Sequence, residues 1–316
     1  MNKSNKAKST ISNKKNIAFY AAMAALPLLQ YFIFYILVNF NSIVLSFQEY
    51  KVVDGIQKYD FLKNIFANYS GVIDFLLTNS DMITCFKNSA TSYLCSLFII
   101  TPLALLFSYY IIKNYPCSKF YRVILFLPNI ICSVIMVYIF QVFADNLYPD
   151  ILVKIIGGKK NEYQLLANVE TRYTSILIFS LFMSFGVNVL MYSGAMSGVS
   201  HDIMEAAEID GCNDVNEFVH IILPSVYPTL TTFIVAGIAG FFTNQMYLYS
   251  LKGKDADSSI WTFGYYMYKE TISNSSNPVN EVYPTLSAMG IVFTLIAAPI
   301  SMFIKWAMEK FGPSEN

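Results

Sequence analysis

Six long stretches of this chain contain no Asp, Glu, Lys or Arg: Asn16–Gln48, Asn88–Ile112, Val123–Ala144, Tyr173–His201, Phe218–Leu251 and Val282–Ile304. A bilayer core about 30 Å thick needs roughly 20 helical residues, and each stretch is long enough to cross it. A charge at mid-span costs about 2.5–3.5 kcal/mol on insertion. Six windows free of charge are therefore not chance. Charged residues make up only 13% of the chain, against about 25% in soluble domains. A soluble globule could not cover its surface with so few. Twenty-one Lys and Arg balance 21 Asp and Glu, which leaves no global basic field for a nucleic acid. The expected fold is all-α and integral to the membrane, with six transmembrane helices.

Only lysines precede the first stretch: Lys3, Lys6, Lys8, Lys14 and Lys15. The stretch is too long for a secretory signal and is read as a retained anchor. The positive-inside rule then keeps the N-terminus in the cytoplasm, and six crossings return the C-terminus there. The expected organisation is a basic tail over 1–15, a membrane domain over 16–310 and a short tail over 311–316. Three loops would face outward. Glu49–Lys87 is expected to hold a short amphipathic helix at the rim. Asp145–Arg172 carries a Gly157-Gly158-Lys159-Lys160 turn, and Lys252–Glu281 carries the aromatic run Trp261–Tyr266, suited to a membrane interface.

Metal and nucleotide chemistry find little support. The five cysteines form no CxxC, and His201 and His220 lack ligand spacing. No phosphate-binding loop of the GxxxxGK[ST] kind is present. No catalytic or metal residues are assigned.

One segment reads differently from the rest. Between the fourth and fifth stretches, 201–224 holds six acids and no Lys or Arg. Local rules make it two short helices. Ser200 or Asp202 can cap the first, and Gly211 is placed to end it in a left-handed conformation. Asn213 or Asp214 can cap the second, with Glu217 completing a capping box after Asp214. Val215, Phe218, Val219 and Ile222 follow helical spacing as an apolar stripe. Pro224 is expected to kink or end this helix where the fifth span begins. On these grounds alone the segment is either a solvated hairpin or a docking element.

Glu205-Ala206-Ala207, Asp210-Gly211 and Ile222-Leu223-Pro224, placed before the penultimate span, closely resemble the EAA motif of permease subunits in binding-protein-dependent ABC importers. The resemblance covers roughly 17–310. Gly194–Gly198 and the Trp261–Tyr268 stretch are similar to the carbohydrate-uptake branch. Cys212 stands where that family usually has Ala, and the Thr-x-Gly-Gly-Pro of the last outer loop is missing.

The resemblance implies that 201–224 is a coupling helix seated on a separate cytoplasmic ATPase. Glu205 would make polar contact, Ala206 and Ala207 would pack closely, and Gly211 would make the turn, with Asp210, Leu223 and Pro224 completing the motif. This chain would bind no cofactor, ATP and Mg being bound by the partner ATPase. The other implied partners are a second permease subunit, a second ATPase subunit and an extracellular solute-binding protein, in a bacterial cell membrane. The solute, a sugar or oligosaccharide, would pass along Ser180, Ser184 and Asn188, spaced four apart on the fourth span. Asn244, Gln245 and Tyr247 would serve on the fifth. Amides and aromatic faces suit uncharged, hydroxyl-rich solutes. Hydrogen bonding between helices is the alternative role for these residues. The alternative function is a secondary transporter or channel subunit not driven by ATP, although the spans lack the ionisable groups that ion coupling usually requires.

Overall fold

A computed structural model describes residues 14–53, 56–276 and 279–313. In chain order, α1 (Lys14–Tyr31) passes through a π-helical stretch, Phe32–Leu37, into α2 (Val38–Ser46). A hairpin of β1 (Gln48–Val53) and β2 (Ile56–Phe61) follows, then α3 (Ala67–Thr78). Next come α4 (Ser80–Cys95), a π stretch Ser96–Ile100, α5 (Thr101–Ile112), α6 (Ser118–Ile130) and α7 (Ser133–Val142). A π stretch Phe143–Leu147 leads into α8 (Tyr148–Ile156), and a 3-10 turn Lys160–Glu162 precedes α9 (Val169–Met196). The 201–224 segment forms α10 (His201–Ile209) and α11 (Asp214–Glu217), which continues through π stretch Phe218–Ile222 into α12 (Leu223–Thr243). The chain ends with α13 (Leu248–Lys252), a 3-10 turn Ser258–Ile260, α14 (Phe263–Ser273) and α15 (Val282–Phe311).

Among the described residues, five helices are long and apolar enough to cross a bilayer: Phe19–Ser46, Ser80–Ile112, Val169–Met196, Asp214–Lys252 and Val282–Phe311. The expected third span, Val123–Ala144, is not one straight helix. It is a pair, Ser118–Ile130 and Ser133–Ile156, bent by 99°. Pro128 sits in the last turn of α6 and lacks the N–H that would bond back along the helix. Ile131 then turns extended, at ψ 140°. Counting the bent pair as one crossing gives six.

The contacts divide the chain into two units: the residues up to Ser70 with Val279–Ile291, and the remainder. In the first unit, the side chains at 19–41 are exposed all round the helix. A helix apolar on every side belongs in lipid or against another chain. The hairpin pairs Gln48 with Phe61 and Val53 with Ile56. Asn68 ties its base by donating to the Ser46 and Gln48 carbonyls at 2.8 and 2.9 Å. These strands were not expected. Glu49–Lys87 does hold a short helix, α3, after the strands. The basic tail 1–15 lies outside the described residues except for its last two, as do 314–316 of the C-terminal tail.

In the second unit, α9 runs through both apolar cores. One groups Ile176, Phe179 and Met183 with Val137, Met246, Ile260 and Tyr265. The other groups Val189, Tyr192 and Met196 with Leu105, Tyr109, Ile222 and Val226. Gly186 makes α9's closest approach to α6: a Cβ there would lie 1.9 Å from the Leu125 carbonyl oxygen. The aromatic run Trp261–Tyr266 is not a lipid-facing belt. Phe263 and Tyr265 are buried, and the Trp261 indole donates to the Ala256 carbonyl at 2.8 Å. Once packed, Phe263 and Tyr265 have almost no surface left for the interface, while Trp261 and Tyr266 stay half-buried.

Candidate functional site

Two regions of the second unit gather the candidate residues. The first is a small cavity of about 140 Å³ beside α4, α9 and α12. Ser180 and Ser184 line it from α9, and Asn244 from the end of α12. The wall opposite is a row of hydroxyls that the sequence did not single out: Ser89, Ser92 and Ser96, one helical turn apart along α4 and its π stretch. Among the described residues lining it there is no Asp, Glu, Lys, Arg or His. Some of its polar groups are already engaged. Ser184 donates to the Leu181 carbonyl at 2.9 Å, and the Ser89 hydroxyl accepts from the Phe263 amide at 3.3 Å.

Asn188, Gln245 and Tyr247 do not join this lining. Asn188 is half-buried, a turn beyond Ser184. Tyr247 packs its ring edge-on to Phe179, 5.6 Å between centroids. Asn244 and Gln245 are not on a helix, contrary to expectation. The backbone of Asn244 turns extended and ends α12, and Met246 and Tyr247 take left-handed φ of 48° and 59°. This break is held on three sides. The Asn244 side chain accepts from the Met246 amide at 2.8 Å. Its carbonyl accepts from the Thr262 hydroxyl at 2.7 Å. Gly264 lies so close that a Cβ would fall 2.4 Å from the Thr243 carbonyl carbon and oxygen. Asn244 thus shapes the cavity wall as well as facing it.

The second region is the hairpin 201–224. Helix α10 closes with paired bonds, Cys212 N–H to the Ala207 carbonyl at 2.9 Å and Gly211 N–H to the Glu208 carbonyl at 3.0 Å. This is a Schellman closure, and it needs the left-handed φ of +79° that Gly211 supplies. Glu205, Ala206 and Asp210 are exposed, Ala207 is half-buried, and Ile209 is 84% exposed. Leu223 and Pro224 are half-buried at the start of α12.

The capping alternatives resolve, and the expectation for Pro224 needs correction. Ser200 occupies the N-cap of α10 without a side-chain hydrogen bond. Asn213, not Asp214, caps α11, accepting from the Asn216 amide at 2.8 Å. Pro224 neither ends nor breaks the helix. The π stretch before it lets Leu223 N–H bond to the Phe218 carbonyl, five residues back, so the helix passes the missing donor without stopping. The same π turn shifts the buried face. Phe218, Ile222 and Val226 turn inward, while Val215 and Val219 remain exposed.

Glu217 does not form a capping box. It is 1% exposed, and its carboxylate meets Lys113 Nζ at 2.9 Å. Lys113 also reaches Glu208 at 2.6 Å. Burial works against the Lys113 charge, but its hydrogen bonds to Glu208 and Glu217 hold the ammonium well above the usual lysine range. Nearby, the Tyr115 hydroxyl donates to Asp214 at 2.7 Å, and that bond raises the tyrosine above its ordinary value. The acidic hairpin draws its counter-charge from a distant segment. No group of three His, Cys, Asp or Glu among the described residues is set to hold a metal.

Residues 100–315 match the family described as binding-protein-dependent transport system inner membrane component. The chain belongs to that family. It is 24% identical to the arabinooligosaccharides transport system permease protein AraP of Bacillus subtilis, over 87% of this chain and 83% of that protein. The fold is similar to a chain in the crystal structure of a bacterial ABC transporter involved in the import of the acidic polysaccharide alginate. The TM-score is 0.74 at 18% identity, covering 94% of this chain and 97% of that one. A second structure of a bacterial alginate ABC transporter, in complex with alginate pentasaccharide-bound periplasmic protein, matches with a TM-score of 0.69 at 18% identity. That match covers 94% and 96% of the two chains. Family and apolar spans together make this a multi-pass membrane permease component.

Proposed function

We propose that this chain is the membrane-spanning subunit of an ATP-driven importer of a sugar or oligosaccharide. It forms half of a translocation path and couples to a separate ATPase through 201–224. The observation that carries the reading is the exposed surface of α10. Ile209, Ala206 and Glu205 stand at the surface, on a helix closed rigidly at Gly211. A short helix that leaves a large aliphatic side chain bare is suited to docking. Small residues beside it let another surface come close.

The partner ATPase binds ATP and Mg, and two copies of it serve two permease subunits and an extracellular solute-binding protein. Glu205 makes the polar contact, and Ala206 and Ala207 provide close packing. Gly211 sets the turn, with Asp210 capping α10, and Leu223 and Pro224 carry the motion into α12. The N- and C-terminal tails, 1–15 and 311–316, lie in the cytoplasm of a bacterial cell, flanking the membrane domain 16–310.

The neutral lining of Ser180, Ser184 and Asn244, with Ser89, Ser92 and Ser96, suits an uncharged, hydroxyl-rich solute. At about 140 Å³ the cavity is smaller than the roughly 300–1,000 Å³ of usual ligand pockets. A path wide enough for an oligosaccharide therefore needs the second permease as its other wall. The relatives' printed names, an arabinooligosaccharide permease and alginate importers, support a saccharide cargo.

Glu205→Lys and Gly211→Pro test the reading. Proline fixes φ near −65°, which the position at +79° cannot accept. Both variants should still insert in the membrane yet take up none of a panel of labelled oligosaccharides that the wild type imports. Normal uptake by both would overturn the coupling role.

A further inference from the structure

An ion-pair cluster lies between the hairpin and the end of the α4–α5 span, and the coupling mechanism above makes no use of it. We propose that Lys113 is a positioning residue that straps the 201–222 hairpin to α5 and α6, so that hairpin and helices move as one body. The proposal rests on reading the hairpin as a docking element. One ammonium reaches two carboxylates on opposite arms of the hairpin: Glu208 in the last turn of α10 and Glu217 in α11. Gly211, the turn between the arms, is thereby bracketed. Tyr115, two residues on, adds a second tether to Asp214. Lys113 and Tyr115 sit on a tight turn whose Asn114 and Cys117 are left-handed, at φ 52° and 63°. That turn leads straight into α6 at Ser118.

Backbone connection alone would pass a displacement of α10 into α9 and α12. The strap passes it into α5 and α6 as well, converting a local push into a rigid-body shift of four helices. The exposures of the two acids divide the labour. Glu217, at 1%, is the permanent anchor, and Glu208, at 60%, is the arm that solvent can reach. The anchor also has bonding capacity in hand. Among the described residues, Glu217 Oε1 and the Tyr109 hydroxyl are both buried without a hydrogen-bond partner, and the Tyr109 ring packs 5.3 Å from that of Phe218, beside Glu217.

The test uses the assembled transporter, with the five native cysteines replaced and spin labels at Val215→Cys and Lys119→Cys. Val215 marks the hairpin and Lys119 marks α6, and both are exposed. Pulsed-resonance distances are taken without nucleotide and after trapping with ATP and orthovanadate. With Lys113 present, one narrow distance should persist, changing by no more than about 2 Å on trapping. Lys113→Met should at least double the width, and trapping should then shift the distance by more than about 4 Å. Lys113→Arg should behave as wild type, and the pair Lys113→Glu with Glu217→Lys should recover the narrow distance. A narrow, unchanged distance in Lys113→Met would overturn the strap, as would a wild-type distance that shifts on trapping. If Lys113→Met does not accumulate, the double variant Lys113→Met with Glu217→Gln, which leaves no buried carboxylate unpaired, decides: broadening supports the strap, and wild-type width overturns it. A single label at Ile209→Cys tests docking separately, through the change in its line shape when the ATPase subunits are added. Absence of that change defeats the docking reading, while the nucleotide-free widths still judge the strap.

Discussion

The cavity and the hairpin sit at two places along the same pair of helices, α9 and α12, and their chemistry is opposite. The polar part of the cavity's lining is hydroxyls and one amide, set among Leu181, Phe241 and Met246, and it carries no charge. The hairpin concentrates acids and recruits Lys113 from about a hundred residues away to balance them. The contrast has a physical basis. Ions are costly within a bilayer, and a neutral lining lets a polar solute pass without being held by a fixed charge. At the membrane edge ions cost little, and ion pairs can fix the direction of a moving element. One helix pair can thus serve passage in one part and force transmission in another.

Three substitutions probe this division, in decreasing order of expected effect. Gly264→Val should remove the cavity wall altogether, because any Cβ there overlaps the Thr243 carbonyl. Overpacking against backbone leaves nothing to relax, and the amount of chain in the membrane should fall more than about tenfold, read by immunoblot. Ser184→Leu fills the cavity without touching the hairpin. Oligosaccharide uptake should drop by about tenfold, while ATP hydrolysis still rises on adding the loaded binding protein. If both fall together, the two regions are not separable. Asn213→Ala removes only the cap of α11. Such a loss costs about 1 kcal/mol, and the complex should lose a few degrees of thermal stability with uptake reduced by less than about threefold.

What could be read beforehand was whatever depends on near neighbours in the chain. Charge-free runs marked the spans, and the helix–Gly–Asn pattern marked the hairpin and its left-handed closure. What escaped depends on distant partners or on geometry between elements. Glu217 would complete a capping box only with Asp214 as the N-cap; with Asn213 in that place the third helical residue is Asn216, and the Glu217 carboxylate turns instead to Lys113. Ser89, Ser92 and Ser96 carry no local mark within their charge-free run, and only the approach of α9 and α12 makes them a wall. The 99° bend after Pro128 had a local cue in the proline, whereas the close approach of α6 to α9 at Gly186 depends on a partner far along the chain. Asn244 looked like a polar residue on a span and is instead the end of a helix. The β-hairpin had a signal that went unread, Asp54-Gly55 between two short runs of strand-forming residues.

The first helix has a practical consequence. From 19 to 41 its side chains are exposed among the described residues, so substitutions there should disturb the chain's own packing little. Photo-reactive amino acids placed one by one around that bare cylinder would record what surrounds the protein in a living cell. Faces that capture lipid could then be told from faces that capture another polypeptide.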